Sequence, residues 1–248
     1  MIDNKITSEK ETISYLQKIL DTVVNTDVKF RILEAGCGSV SALKFSDRHF
    51  ITGIDISQKQ LDRNINIHEK VLGDIQRYKF PPSSFDMIIC RHVLEHLPNP
   101  KSALKHFFYS IKKQGRIIIA SPNPISLKGL VTKFTPHFFH VYVYRYIYNV
   151  TDAGKEDKAP FKTHMRFAIS PYKISKIAEK FGIETEIIVT EDAFKDWVGQ
   201  KLKNKSRFLY RFVNVLIGFL KLISGGKIGD SEYIYNSAKK KLTISRMV

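Results

Sequence analysis

The chain has 248 residues, of which 43% are hydrophobic, and its 40 lysines and arginines outnumber 24 acidic residues to give a net charge of +16. This length and composition predict a folded domain of enzyme size. The only cysteines, Cys37 and Cys90, exclude a disulfide framework and a multi-cysteine zinc site and favour reduced, buried thiols. The positive charge favours an anionic partner: nucleic acid, an acidic membrane surface or a phosphorylated substrate.

The N-terminal segment carries no secretory pattern. Its first twenty residues lack both a basic start and a continuous apolar stretch, so we expect a cytoplasmic protein. Apolar residues recur there at helical spacing, namely Ile13, Leu16, Leu20, Val23 and Val24. This spacing predicts an N-terminal amphipathic helix.

Five short apolar runs follow and predict strands of a parallel sheet that is buried on both faces. They read FRILEA, FITGID, KVLGD, FDMIICR and RIIIAS. Between the last two runs lies a helical segment, with Pro100 suited to its first turn and Gly115 to its terminus. The alternation predicts an α/β fold with right-handed crossovers.

After Ser121 the alternation stops for about fifty residues that are rich in aromatic, proline and basic residues. Tyrosines alternate with other residues between Tyr142 and Tyr148, which favours a strand with one aromatic face, although a helix would also bury many of these rings. The α/β pattern then resumes. Ser170 is suited to an N-cap, Pro171 to the first helical position and Gly182 to the helix end, and IETEIIVT and EYIYNSA follow as candidate strands.

The stretch RILEAGCGSV places two glycines directly behind the first predicted strand. Without a Cβ, Gly36 and Gly38 allow the backbone to pass close to a ligand. Asp55 ends the second strand, where a carboxylate is suited to accept both hydroxyls of a ribose, and Asp74 ends the third, where it is suited to an adenine amino group. The pattern therefore predicts a nucleoside site at the carboxyl edge of the sheet.

Two classes of nucleoside ligand compete for this site. A dinucleotide fold would have a third glycine where the chain has Ser41, and no phosphate-binding glycine-rich loop with lysine follows. Glu34, two residues before the first glycine, is better suited to a ligand with a positively charged part. S-adenosylmethionine, with its ammonium and sulfonium groups, is such a ligand.

The motifs LEAGCG, GIDIS, GD, FDMIICRHVLEHLPNP and GRIIIASPNP resemble, in order and spacing, those of the class I S-adenosylmethionine-dependent methyltransferases. The resemblance covers about residues 30 to 124 and is strongest to the branch with the ubiquinone, menaquinone, small-molecule and glycolipid methyltransferases. It implies a Rossmann-like, mostly parallel seven-stranded sheet with helices on both faces and a cap insertion between strands five and six. The expected single domain comprises an N-terminal helix (1–28), a cofactor-binding core (29–124), the insertion (125–165) and a C-terminal half (166–248).

The resemblance also implies which residues hold the cofactor. The loop after the first strand would bound the methionine part, Asp55 with Ile56 would hold the ribose, and Asp74 with Ile75 would frame the adenine. Arg91 would contact the cofactor or the acceptor. The loop residues are Glu34, Ala35, Gly36, Cys37 and Gly38. Family members usually have a third glycine where this chain has Val40.

Methyl transfer is an in-line displacement that depends chiefly on proximity, so catalytic residues leave a weak sequence signal. A hydroxyl or acidic carbon acceptor would benefit from a base with a pKa near neutrality, and we name His92 and His164 as candidates. Arg166 and His140 are candidate acceptor-binding residues. His96 is expected to organise the loop behind the site, and no metal is expected.

The C-terminal segment 207–224, RFLYRFVNVLIGFLKLIS, confines its polar or small positions to one helical stripe. Nine of the sixteen net positive charges fall between Lys195 and the C-terminus. Two interpretations remain open. The helix lies in an anionic membrane interface at the inner face of the membrane, or it packs on the insertion as a hydrophobic cap over the acceptor site. Both favour an apolar or amphiphilic acceptor.

Nucleic acid is a less favoured partner. DNA amino-methyltransferases of the related fold carry an (Asn/Asp/Ser)-Pro-Pro-aromatic loop where this chain has CRHVLEH, and no RNA-binding module is recognisable. We therefore expect an S-adenosylmethionine-dependent methyltransferase that acts on an oxygen or carbon atom of a small, apolar or lipid- or glycosyl-linked acceptor. The alternatives are an RNA methyltransferase and a catalytically silent, membrane-associated protein that binds the cofactor.

Overall fold

The computed structural model describes residues 9–24, 28–146, 149–155, 158–190, 207–223 and 232–240. The strands are β1 (Arg31–Ala35), β2 (Phe50–Asp55), β3 (Glu69–Leu72), β4 (Phe85–Arg91), β5 (Ile111–Pro122), β6 (Ile183–Thr190) and β7 (Glu232–Lys240). The helices are α1 (Glu9–Val24), α2 (Gln58–Arg63), α3 (Pro100–Ser110), α4 (Leu127–Phe134), α5 (His137–Tyr146), α6 (Pro171–Glu179) and α7 (Arg207–Ile223). The predicted N-terminal helix and the five predicted strands of the parallel sheet are thus confirmed as elements.

The strands form one sheet in the order β3-β2-β1-β4-β5-β7-β6. The first five are parallel, and β7 runs antiparallel to both of its neighbours, β5 and β6. This confirms the predicted α/β class with a parallel sheet. The chain moves outwards from β1 to β3 and then returns to β4 on the other side of β1. Ligands bind at such a reversal, outside the carboxyl ends of the strands.

Helix α1 covers one face of this sheet. Leu16 and Leu20 are buried in it and pack with Ile32, Ile51 and other strand residues. The connection between β1 and β2, residues 36–49, forms turns and no helix. Gln17 of α1 fastens this connection by two hydrogen bonds to the backbone of Lys44, of 2.9 and 3.0 Å. The N-terminal helix therefore lies where a β1–β2 crossover helix would cover the sheet.

The opposite face is covered by α3 and α6. Leu104, Phe107 and Phe108 of α3 are fully buried, as are Ile174 and Ala178 of α6. Pro100 occupies the first turn of α3, as predicted. Pro171 likewise begins α6, while Ser170 occupies its N-cap position without a side-chain capping bond.

The prediction that Gly115 ends a helix is wrong. Helix α3 ends at Ser110, and Ile111 already pairs with Phe85 in the ladder between β4 and β5. A Cβ at Gly115 would lie 2.8 Å from Ile111 Cγ1 and 3.0 Å from the carbonyl oxygen of Asp86. This glycine therefore serves close packing within β5 rather than helix termination.

The insertion consists of two short helices in its first half, and the tyrosine alternation lies in α5 rather than in a strand. Tyr148 lies outside the described residues. Helix α4 begins tightly against the end of β5, because Gly129 has no Cβ where one would lie 2.0 Å from the carbonyl oxygen of Asn123. Among the described helices, none combines the length and the apolar character needed to cross a membrane.

Candidate active site

The glycine loop lies at the carboxyl end of β1, and both glycines adopt positive φ angles. Gly36 has φ +71° and Gly38 has φ +57°, which side chains other than glycine rarely adopt. The Gly36 amide donates a hydrogen bond of 2.8 Å to the carbonyl of Ile54 in β2. A Cβ at Gly36 would lie 2.3 Å from Cγ2 of Val93, so the loop requires glycine for space as well as for conformation.

Asp55 joins the glycine loop to the start of α2. Its Oδ2 accepts a 2.9 Å hydrogen bond from the Gly38 amide, and its Oδ1 accepts one of 2.9 Å from the Ser57 amide. Each oxygen keeps a lone pair for a hydroxyl donor. Next to it, Ile56 is 77% exposed, which presents an apolar surface beside the carboxylate.

Asn64, at the end of α2, is a site residue that the sequence analysis missed. Its side-chain amide donates 3.2 Å hydrogen bonds to the carbonyl oxygens of Cys37 and Gly38, and the residue is fully buried. It therefore holds the glycine loop from below. The sequence carries no sign of this role, because the contact joins residues more than twenty-five positions apart. The short helix α2 that places Asn64 was not recognisable from the sequence either.

Asp74 and Ile75 follow β3, but their side chains point to different surroundings. Both oxygens of Asp74 accept hydrogen bonds from the Gln76 side chain, of 3.0 and 3.1 Å. The Ile75 side chain is buried in the core, and its carbonyl lies 3.2 Å from Nδ1 of His106. Only main-chain atoms of Ile75 thus remain for a ligand, whereas the Asp74 carboxylate is partly accessible.

Glu34 is a buried acid beneath the glycine loop. Ser41 donates a hydrogen bond to its Oε2, and the positive charge of Arg91 acts on the same carboxyl. Burial outweighs both and raises the pKa of Glu34 to about 7. Arg91, at the end of β4, therefore supplies part of the positive charge that was expected near Glu34.

Ala35 and Cys37 are buried beside this acid. Burial, with the nearby carboxylates of Glu34 and Asp55, raises the pKa of the Cys37 thiol to about 12. Burial and Glu95 likewise raise the pKa of Cys90. Both cysteines are unpaired and buried, as expected, and their thiols remain protonated at neutral pH.

His92 lies just beyond β4, at the edge where the strand order reverses. Its amide donates a 2.9 Å hydrogen bond to the carbonyl of Ala120, and its φ is +52°. The ring is partly exposed, and Nδ1 lies 3.5 Å from Oε1 of the buried Glu95. The structure thus brings His92, predicted as a candidate base, to the edge where the strand order reverses.

The segment around His164 docks on the same turn. The amides of His164 and Met165 donate hydrogen bonds of 2.8 and 3.0 Å to the carbonyl of Glu95. Burial and the positive charges of Arg166, Lys162 and His96 lower the pKa of His164, and the Arg166 side chain is exposed. His164 is therefore brought close to the strand ends, although it lies more than seventy residues from β4 in sequence.

His96 organises this junction from the other side. Its Nδ1 lies 2.9 Å from the carbonyl oxygen of Lys162, and its ring packs edge-on against Phe161. Helix α4 also reaches the segment, because Lys133 donates a 3.1 Å hydrogen bond to the carbonyl of Met165. The insertion is thereby connected to the edge that carries His92.

His140 has its contacts within the insertion. It hydrogen-bonds with the Thr135 hydroxyl, and burial and the neighbouring His137 lower its pKa. Among the described residues, no group of three or more histidines, cysteines and acids has the arrangement of a metal site. The edge of β1, β2 and β4 thus combines hydroxyl acceptors, an apolar surface, a buried acid and histidines, which is suited to hold a nucleoside beside a second ligand.

Comparison with known proteins agrees with this arrangement. Residues 33–119 match the family model of the methyltransferase domain. The chain is 25% identical over 162 residues to the ubiquinone biosynthesis O-methyltransferase of Coxiella burnetii, an alignment that covers 61% of this chain and 62% of that protein. A protein of the same name from Azoarcus is 24% identical over 164 residues, with 62% and 64% covered. The chain therefore spans somewhat less than two thirds of these relatives.

Solved structures share the fold. A SAM-dependent methyltransferase from Archaeoglobus fulgidus superposes with a TM-score of 0.53 at 20% identity, covering 94% of this chain and 95% of that one. Phosphoethanolamine N-methyltransferase 2 from Haemonchus contortus, solved with S-adenosyl-L-methionine, gives a TM-score of 0.54 at 16% identity, covering 92% and 53%. The family model and the relatives together support a class I S-adenosylmethionine-dependent methyltransferase, and the solved structures share its fold.

Proposed function

We propose that the protein transfers a methyl group from S-adenosylmethionine to an oxygen or carbon atom of a small acceptor that is apolar or linked to a lipid or sugar. The observation that carries the cofactor half of this proposal is the Asp55 carboxylate. It is fixed by two backbone amides beside the glycine loop and keeps lone pairs free at a strand end.

The residues at this edge fit the cofactor. Asp55 would accept the ribose hydroxyls, and the exposed side chain of Ile56 would pack against the adenine ring, with Asp74 at the far end. The loop Gly36–Gly38 would lie against the methionine part, and Glu34 with Arg91 beneath it would set the local charge. Bound S-adenosylmethionine supplies an electrophilic methyl group, so the chain has only to orient the acceptor and handle a proton.

Three features support a small acceptor with an apolar part. The curated relatives are named as ubiquinone biosynthesis O-methyltransferases. The insertion adjoins the end of β5 and contacts the segment of His164 through Lys133. Its helices expose large apolar side chains, Phe134, Phe138, Phe139, Tyr142 and Tyr146. Such side chains would form an apolar wall for the acceptor when it binds, with Arg166 and His140 as polar contacts.

Helix α7 supports the further proposal of a peripheral contact with an anionic membrane. A stripe along this helix exposes Phe208, Val215, Phe219 and Leu222, and the exposed Arg207 and Arg211 lie at its N-terminal end. Helices that lie in a membrane interface expose apolar side chains in this way. Cations beside those side chains contact the lipid phosphates. An acceptor that partitions into the membrane would then be captured where it resides.

The test of the reaction is transfer of a labelled methyl group. Purified protein is incubated with methyl-labelled S-adenosylmethionine and cell extract, and lipid, nucleic-acid, protein and small-molecule fractions are counted separately. We expect label in the lipid or small-molecule fraction, and less label with Asp55→Ala when the cofactor concentration is kept below saturation. Label in RNA would replace the proposed acceptor class, and cofactor binding without label in any fraction would favour a silent binding protein.

The membrane contact is tested by sedimentation with vesicles. We expect the protein to sediment with vesicles that contain phosphatidylglycerol and to be retained less by vesicles of phosphatidylcholine alone. Arg207→Gln with Arg211→Gln should reduce sedimentation, whereas Lys101→Gln with Lys105→Gln on α3 removes the same charge elsewhere and should not. Equal loss in both pairs would show that only net charge matters.

A further inference from the structure

Glu95 is a buried acid that the sequence analysis assigned no role. It lies in the short 3-10 turn Leu94–His96 directly after β4, and its residue surface is only 5% exposed. Oε1 lies 3.5 Å from Nδ1 of His92 and 4.0 Å from Nε2 of His96. Oε2 is buried and has no hydrogen-bond partner among the described residues.

The backbone holds this acid in place. The carbonyl of Glu95 accepts hydrogen bonds from the amides of His164 and Met165, and Leu94 and Leu97 on either side of the His96 turn are buried in the core. The backbone of Glu95 is thereby fixed between two segments, and its side chain is enclosed there with little exposed surface. A buried carboxylate oxygen without a donor is costly unless a positive charge approaches it.

His92 is the group that brings such a charge. Its ring is partly exposed at the carboxyl edge and Nδ1 faces the Glu95 carboxylate, so Nε2 is the ring nitrogen that would take a proton from an acceptor bound at this edge. When Nε2 takes up a proton, the ring becomes a cation 3.5 Å from Oε1. The separation is that of an ion pair rather than a tight hydrogen bond, and such contacts shorten when the site is filled.

We propose that Glu95 is the positioning residue of the acceptor site: it selects the orientation of His92 and stabilises its protonated ring. This inference rests on the proposed function and deepens it towards acceptors that lose a proton. The acceptor O–H or C–H proton moves to Nε2 of His92, and the acceptor atom forms the new bond to the methyl carbon. The electron pair of the broken carbon–sulfur bond leaves with sulfur.

Other charged groups surround His92 and enter its titration. Arg91 precedes it on β4, His96 shares the Glu95 carboxylate, and the docked segment 161–166 contributes Lys162, His164 and Arg166. These groups are basic, and the positive charge of Arg91 also acts on the acid Glu34. Glu95, 3.5 Å from the His92 ring, favours the charged ring, so removing its charge should lower the His92 midpoint.

The first arm of the test needs no acceptor. Nitrogen-15 histidine spectra are recorded against pH for wild type, Glu95→Gln and Glu179→Gln, with the His92 signal assigned by its loss in His92→Gln. We expect the His92 midpoint to fall by about one pH unit in Glu95→Gln, with a loss of the tautomer preference at Nδ1. Glu179→Gln removes an exposed acid of α6 and should leave it unchanged. Equal His92 midpoints in both variants would overturn the proposal.

The second arm uses whichever acceptor fraction becomes labelled. Glu95→Gln should lower kcat at least about tenfold and move the acidic limb of the pH profile to lower pH, while S-adenosylmethionine affinity stays unchanged. Glu95→Asp keeps the charge and should recover part of the rate, and thermal unfolding verifies that each variant is folded. An unmoved acidic limb in folded Glu95→Gln contradicts the positioning role. A shifted histidine midpoint without methyl transfer by wild type would instead leave the pairing intact and refute the proposed function.

Discussion

Apolar side chains are buried in the parallel half of the sheet but exposed on the helices of the insertion and of the C-terminal region. Strands β1, β2 and β4 bury nearly all of theirs, and the polar residues at their ends are tied by hydrogen bonds to neighbouring backbone. Helix α5 has no buried residue, and α7 exposes a stripe of four large apolar side chains. The apolar side chains of the first region are covered by the protein itself. Those of the second region form exposed surface that a ligand, a membrane or another protein surface would cover.

This contrast matches the two tasks of the proposed methyltransferase. The edge proposed to hold the cofactor is built from residues tied to the core, and the exposed apolar surface lies on the elements proposed to meet the acceptor or a membrane. We therefore expect substitutions to act on stability and cofactor binding in the first region and on acceptor or membrane binding in the second.

The largest difference is expected between a buried and an exposed leucine. Leu16→Ala in α1 removes a side chain with no exposed surface and should lower the free energy of unfolding by about 2–5 kcal/mol. Leu222→Ala in α7 removes one that is 80% exposed and should change it by less than about 0.5 kcal/mol. Urea unfolding followed by circular dichroism measures both. A large loss in Leu222→Ala would mean that α7 is packed and would remove the contrast.

Next in size is the effect of a methyl group on the glycine loop. Gly36→Ala combines a positive φ with a Cβ 2.3 Å from Val93, and should cost about 2–4 kcal/mol of unfolding free energy. Gly182→Ala is the matched control. Its φ is +67° but a Cβ there meets nothing within 4 Å, so about 1 kcal/mol is expected. Chemical denaturation measures the loss of unfolding free energy in both variants. The double variant Gly36→Ala with Val93→Ala should regain the part of the Gly36→Ala loss that is due to crowding by Val93.

The buried acid makes stability depend on pH. The pKa of Glu34 is raised to about 7 in the folded protein, so between about pH 4.5 and 7 the unfolded chain has lost the proton that the folded protein keeps. This contribution to stability is full below that window and is lost as the pH rises through it, by about 3 kcal/mol in all. Glu34→Gln should remove this slope. The difference between wild type and variant in urea unfolding at pH 5 and pH 8 isolates it from other groups, and parallel curves would contradict the buried, protonated state.

The smallest of these effects concerns cofactor affinity. Asp55→Ala should weaken S-adenosylmethionine binding by about 1–3 kcal/mol, because it removes the carboxylate proposed to accept the ribose hydroxyls. Asp62→Ala on the exposed side of α2 removes an equal charge and should leave affinity unchanged. Isothermal titration calorimetry measures both. Unchanged affinity in Asp55→Ala would remove that residue from the proposed site while leaving the fold assignment intact.

Much of the first region could be predicted from local sequence. Runs such as RILEA and FDMIICR are too short and too β-branched for helices and carry no polar face, which is typical of strands buried on both sides. The positions of Gly36, Gly38 and Asp55 relative to those strands predicted where the strand ends would gather polar groups. Prediction from local sequence was less successful in α5, where the periodicity fitted both a strand and a helix, and in α2, which is short and polar.

The residues missed in the site make contacts that no local pattern indicated. Asn64 reaches the glycine loop, and the carbonyl of Glu95 holds the segment of His164, both across long stretches of chain. Ser41 reaches Glu34 over seven positions through turns that form no regular element. His92 and Glu95 stand only three positions apart, but the short 3-10 turn that brings them together was not predicted. The role of Gly115 was wrongly predicted because the atoms that require a glycine there belong to Ile111 of the same strand and to Asp86 of the neighbouring one.

The sequence by itself determined the α/β class, the existence and approximate limits of the strands and the placement of the glycine loop and Asp55 at strand ends, because apolar period, glycine placement and strand-end acids are local properties. The tertiary structure decided that α1 covers the face beside β1, that Ser41 and the charge of Arg91 act on a buried Glu34, and that Glu95 holds the segment of His164. These depend on how elements pack, and packing is set by the fit of many side chains at once rather than by any short stretch of sequence.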